Sequence, residues 1–170
     1  MKTLIISYSF TGNNGKLAKK IARGLNADLI VVEEKKKRTV MTILFDVLFN
    51  RIPSIDEPEK SMDMYEDLIF VAPVWFGKIA TPFRALFMDL KGKSKSYSFI
   101  SLSAGANGKN TDLEKELIER TGSMPKMVIN PLISEILPAN PKPGRKQLEA
   151  YRLTDSDADG LVKGVLNELN

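Results

Sequence analysis

The sequence predicts a three-layer, doubly wound α/β fold: a five-stranded parallel sheet in the order 2-1-3-4-5, formed as a single domain by residues 1–170. Three observations predict it. Short apolar, β-branched runs recur along the chain, and several are too continuously apolar to leave one face wet, as buried parallel strands require. Segments with helical spacing alternate with these runs, the signature of strand-helix-strand units with right-handed crossovers. Five strands in 170 residues suit the smaller doubly wound order better than a six-stranded one.

The elements follow in order. The first strand spans 3–8 and leads into a helix marked by Leu17, Ile21 and Leu25, after which 29–33 forms the second strand. The basic run Lys35-Lys36-Lys37-Arg38 precedes an apolar segment, 40–49, that is apolar on more than one helical face. The expectation there is a crossover helix buried against the sheet with the lysines solvated before it; the alternative is a contact surface for a partner subunit, or a substrate lid. Residues 68–72 make the third strand, and Phe83, Leu86, Phe87 and Leu90 the helix after it. The fourth strand, 98–102, precedes a helix marked by Leu113, Leu117 and Ile118, where Thr111 and Glu114 could form a capping box. The fifth strand is 127–133. Pro138, Pro141, Pro143 and Gly144 then make 137–145 irregular, and the last helix carries Leu161, Val165 and Leu169 behind Thr154 and Asp155 as caps.

Composition excludes several chemistries. Apolar residues make up 43% and charged residues 27%, the balance of a compact soluble chain and not of a disordered one. With no cysteine and no histidine, disulfides, iron–sulfur clusters, thiolate nucleophiles, the usual zinc sites and a Ser-His-Asp triad are all out of reach, and no metal site is expected. The net charge of +4 favours anionic ligands but lacks the concentrated basic stripe of a nucleic-acid binder. No export signal and no membrane span are evident, so the expected location is cytoplasmic.

In open parallel sheets ligands sit beyond the carboxyl ends of the strands. After the first strand comes Ser9-Phe10-Thr11-Gly12-Asn13-Asn14-Gly15, running straight into a helix. Hydroxyls, amides and glycines at a helix amino end suit a phosphate, which needs oriented N–H donors and close backbone approach. Neither the Walker pattern nor the dinucleotide Gly-x-Gly-x-x-Gly is present, and Lys16 reads as a solvated helix residue. The third strand runs into Pro73-Val74-Trp75-Phe76-Gly77-Lys78-Ile79-Ala80-Thr81-Pro82, which puts the only tryptophan in a loop where a flat ligand could stack. The fourth ends in Ser101-Leu102-Ser103-Ala104-Gly105-Ala106-Asn107-Gly108, whose small residues could edge against a planar heterocycle.

Together these loops resemble those of the flavodoxin-like family, in the right order over most of the chain. Ser9-x-Thr11-Gly12-Asn13 is similar to the family's phosphate loop for flavin mononucleotide (FMN), and Pro73-x-Trp75-x-Gly77 with Pro82 and Phe87 to its second flavin loop. Asn14 departs from the threonine the family often has, which implies altered phosphate contacts. The resemblance implies noncovalent FMN. Ser9, Thr11, Asn13, Asn14 and nearby amides, including those of Phe10, Gly12 and Gly15, would meet its phosphate. The second loop, from Pro73 and Val74 to Trp75, Phe76 and Gly77, and the third, with Ser103, Ala104, Gly105 and Gly108, would flank the ring. The cofactor then carries the electron chemistry, and no catalytic acid or base is required of the protein.

The resemblance also implies an electron carrier with a redox partner protein or, alternatively, an NAD(P)H-dependent quinone or flavin reductase with a small acceptor; a homodimer stays open. Lys78, Arg84 and Lys109 outnumber Asp112 near the site, which would ease formation of an anionic reduced flavin unless these side chains point into water. A signalling receiver is disfavoured because Ser7-Tyr8-Ser9 stands where its magnesium-holding carboxylates belong. A flavin-free binding module stays open, supported mainly by the apolar segment 40–49.

Overall fold

The computed structural model describes residues 2–36, 38–106, 108 and 110–169. Lys37, Asn107 and Lys109, named above, lie outside them. Strands β1 (Thr3–Ser7), β2 (Asp28–Val31), β3 (Asp67–Val71), β6 (Ser96–Ile100) and β7 (Met127–Ile129) form one parallel sheet in the order β2-β1-β3-β6-β7. That is the predicted 2-1-3-4-5 order. Between β3 and β6 lies a small antiparallel hairpin, β4 (Val74–Trp75) and β5 (Lys78–Ile79), that the sequence reading treats as loop. Its turn residues Phe76 and Gly77 have φ of 50° and 76°, the left-handed pair that a tight two-residue hairpin demands.

Alternation along the central strands sorts the core to both faces. Leu4, Ile6, Leu68, Phe70, Tyr97 and Phe99 pack on one side with α3 (Phe83–Leu90) and α4 (Leu113–Thr121). Phe70 makes edge contacts there with Phe83, Phe87 and Tyr97 at 5.0–6.1 Å, each buried ring contributing about 2 kcal/mol or more. Ile5, Ile69, Val71 and Ile100 pack on the other side with α1 (Asn13–Leu25) and α7 (Asp155–Leu169). Helices α1 and α7 approach closely at Gly24, where an added Cβ would stand 2.7 Å from Leu166.

Several local expectations are corrected. The segment 40–49 is a helix, α2 (Val40–Leu48), but only Ile43 of it is buried, so it does not pack into the sheet as a crossover helix would. The physical reason is that polar bonds hold it, as set out below. The capping box at Thr111 does not form: Asp112 occupies the cap position without a side-chain bond, and its amide instead donates to Asn110 Oδ1 at 3.0 Å. Thr154 does cap α7, accepting from the amide of Asp157 at 3.1 Å. The last strand stops at Ile129, and the chain turns into short helices α5 (Ile133–Ile136) and α6 (Arg145–Ala150) around the proline-rich stretch. Lys16 pairs with Asp155 at 3.5 Å. Among the described residues, no helix is long and apolar enough to cross a membrane.

Candidate functional site

The three loops singled out above all leave the carboxyl ends of adjacent strands, β1, β3 and β6. At the first, Gly12 caps α1 with φ 92°, a left-handed conformation that a residue with a Cβ adopts at a cost. Its amide donates to Ser9 Oγ at 3.0 Å, so the serine folds the loop back on itself. Thr11 and Gly12 are exposed, and nothing stands within 4 Å of where a Gly12 Cβ would be. No acceptor among the described residues meets the amides of Asn13, Asn14 and Gly15, and the first turn of α1 holds no acidic residue. Free amides, a helix dipole and an absence of carboxylates form a donor set that fits a phosphate.

The two asparagine side chains are used differently from the expectation. Asn14 Nδ2 donates to the Leu102 carbonyl at 2.9 Å, and its Oδ1 accepts from the Leu102 amide at 2.9 Å. Asn13 Nδ2 donates to the Tyr151 carbonyl at 3.0 Å, and its Oδ1 accepts from the Leu153 amide at 2.9 Å. Both carboxamides are buried and spent on the fold. Only the backbone amides of these residues remain for a ligand. A carboxamide offers one donor end and one acceptor end, which is what an unpaired backbone N–H and C=O need together.

At the second loop the half-buried Trp75 stands edge-on to Tyr8 at 5.6 Å and to Phe10 at 6.1 Å, with the Arg38 guanidinium 5.4 Å from its ring centre. Arg38 is itself locked. It bonds Glu34 through two nitrogens and Asp46 through Nη1 at 2.8 Å, while the Tyr8 hydroxyl donates to Glu34 at 2.7 Å. Burial, reinforced by the Glu34 carboxylate, pushes the Tyr8 phenol well above its ordinary range, so it stays a neutral donor. Burial works against the Arg38 charge, but its bonds to Glu34 and Asp46 more than offset that and keep it protonated. No motif in the sequence announces this network, because its members come from four separate segments.

Phe76 is 58% exposed at the tip of the hairpin, and Phe10 is 41% exposed beside it. The hairpin is tied to α4 by Glu116, buried, which accepts from the Ile79 amide at 2.9 Å and from Arg120 Nε at 2.7 Å. Pro73 precedes the hairpin, and its carbonyl accepts from the Ala80 amide at 3.0 Å. Phe87 lies in the core and Pro82 at the start of α3. Arg84 neither lines the site nor points into water. It is buried in α3, and Nη1 donates to the carbonyls of Asp46 at 2.8 Å and Arg51 at 2.7 Å. Lys78 is exposed on the hairpin.

The third loop presents less free backbone than its composition suggests. The Ser103 amide donates to Pro131, and the carbonyls of Ser103 and Ala104 accept from Ile133 and Ser134 at 2.8 and 3.2 Å. Gly105, at φ 76°, has Leu132 Cβ only 2.9 Å from where its own Cβ would be. The small residue there serves packing against the chain itself. Gly108 is exposed and closes the turn with a bond to Gly105 at 3.1 Å. A separate cleft of about 580 Å³ opens between α4, α7 and β7, and Asn110, Asn130 and Pro131 in its lining are hydrogen-bonded to Gly77, Ser101 and Ser103 of the second and third loops. Glu114, Glu135 and Glu168 line it, a poor setting for an anion.

No protein-family model matches the sequence, and no curated protein is significantly similar to it. Solved structures are. The chain superposes on a flavoprotein in complex with FMN from Lactobacillus acidophilus NCFM with a TM-score of 0.66 and 24% identity, over 76% of this chain and 92% of that one. A protein of Bacteroides eggerthii DSM 20697, provisionally described as a flavoprotein, gives 0.64 at 16% identity over 88% and 94%. A flavodoxin from the domain Archaea gives 0.50 at 17% identity over 96% and 92%. Taken with the sheet order β2-β1-β3-β6-β7 and helices on both of its faces, these likenesses establish that the chain has the flavodoxin-like fold.

Proposed function

We propose that the chain binds FMN noncovalently at the rim formed by the loops after β1, β3 and β6, and works as a redox protein. The observation that carries this reading is the amino end of α1. There the unpaired amides of Asn13, Asn14 and Gly15 lie beside exposed Thr11 and Gly12, with no carboxylate in the turn. The likeness to a flavoprotein in complex with FMN supports it. When bound, FMN supplies the reversible uptake and release of electrons.

The chain's own residues position and shield. Ser9 holds the Gly12 amide, Gly12 takes the backbone turn, and the α1 amides and the Thr11 hydroxyl offer neutral donors to a phosphate. Trp75, fixed by Arg38, Tyr8 and Phe10, gives a rigid aromatic wall with Phe76 beyond it. Two carboxylates engage the Arg38 charge, so it contributes rigidity more than field. No histidine or cysteine is needed for such a role.

A visible absorption spectrum before and after adding FMN tests the reading; protein that remains colourless and unquenched with excess FMN overturns it. Within it, the leading role is an electron carrier acting through partner proteins. A reductase using NAD(P)H and a quinone or similar acceptor is favoured by one observation: the loop from Pro73 to Pro82 holds exposed Lys78 and no carboxylate. Sustained NAD(P)H oxidation with a quinone selects the reductase, and reduction only through an added reductase selects the carrier.

A further inference from the structure

Helix α2 is turned inside out. Val40, Met41, Leu44, Phe45, Leu48 and Phe49 are 39–68% exposed, while Ile43 and the carboxylate of Asp46 face the protein. At about 100° per residue the six exposed positions share one half of the helix surface, and Ile52, 50% exposed, extends the stripe. Phe45 and Phe49 stack on it at 6.1 Å. Polar pins hold the helix in place: Arg38 grips Glu34 and Asp46 below it, and Arg84 bonds the carbonyls of Asp46 and Arg51 at its end. The apolar face is therefore displayed in a fixed pose and not merely left loose.

We propose that this face is the two-fold interface of a homodimer, with α2 packed antiparallel against α2 of a second copy. The inference is independent of the FMN reading. Three observations select this occupant. The stripe exposes several hundred Å² of apolar surface, at or above the roughly 300–600 Å² largest patch of a typical monomer and approaching the roughly 800 Å² each partner contributes to a stable interface. Its centre carries no charge, since the one acidic residue of α2 is tucked beneath it, and the Arg51 guanidinium stands at its carboxyl edge, 5.5 Å from the Phe49 ring centre, which gives the apolar core and charged rim of a homodimer interface. Its i, i+4 rows are self-complementary ridges and grooves, so one surface can serve both sides of a two-fold.

The test is the mass of the full chain in solution, by sedimentation or light scattering at micromolar concentration, for the wild type and for Leu48→Lys, Met41→Lys and the distant exposed control Met124→Lys. The expected result is twice the 19.0 kDa chain mass for wild type and control, and about tenfold or greater weakening of the dimer in both α2 variants. A wild type that stays monomeric overturns the proposal, whether it remains free or sediments with phosphatidylglycerol vesicles. A dimer unaffected by both α2 substitutions overturns it too. Should a variant fail to fold, hydrogen exchange of the wild type decides: protection of residues 40–52 that falls on dilution supports the interface, and protection independent of dilution refutes it.

Discussion

Asn14 satisfies both backbone polar groups of Leu102 at once, donating to its carbonyl and accepting from its amide at 2.9 Å each. This pair joins the first turn of α1 to the chain just beyond β6, so the geometry of the first loop depends on the end of the fourth sheet strand. Asn14 is 2% exposed, and no water can replace it cheaply. Asn14→Ala is expected to cost about 3 kcal/mol by urea unfolding, since it strands two buried groups. Under the FMN reading the same variant also loses affinity for FMN through displacement of the loop.

Trp75 is the only tryptophan, so its emission reports on the site directly. Titration with FMN is expected to quench it. Gly12→Val keeps room for the side chain but must hold φ 92°, so binding is expected to weaken about tenfold while stability falls by only about 1 kcal/mol. Unchanged affinity in this variant would remove the first loop from the site.

Arg84 connects α3 to the end of α2 through the carbonyls of Asp46 and Arg51. Arg84→Met fills similar space but donates nothing. Hydrogen exchange is expected to speed up across 40–52 while β1, β3 and β6 stay protected, because the lost bonds are local to α2. A uniform rise across the sheet would mean that Arg84 supports the whole core.

Gly105 has no space for a methyl group and a left-handed φ besides. Gly105→Ala is expected to destabilise the protein by about 2 kcal/mol or more and to loosen the 131–134 segment, read as larger chemical-shift changes at Leu132 and Ser134 than at Ser9.

Asp28, at the start of β2, accepts from Lys60 at 2.6 Å and from the Tyr65 hydroxyl at 2.7 Å, and these bonds hold its carboxyl below the usual aspartate range. A lowered native value means that the unfolded chain takes up the proton first on acidification. The stability this provides is present above about pH 4 and is lost as pH falls through the native value. Asp28→Asn is therefore expected to lower the urea midpoint at about pH 6 and much less at about pH 3. An equal effect at both would show that the ion pair is not its source.

The strand order, the two-faced core and the three loops were legible in the sequence because each rests on local pattern. Continuous apolar runs mark buried strands, 3.6-residue spacing marks helices, and glycine with hydroxyl residues marks the turn before α1. What only the tertiary structure decided concerns polar groups that find partners far along the chain. Asn13 and Asn14 look like ligand donors until Tyr151, Leu153 and Leu102 come to meet them. Arg84 looks like a charge near the site until the carbonyls of Asp46 and Arg51 enclose it. The apolar residues of α2 look like core until the arginine pins turn them outward. Apolar burial follows periodicity, which one segment carries by itself; hydrogen-bond satisfaction is a property of pairs, and the chain settles it only when distant segments are brought together.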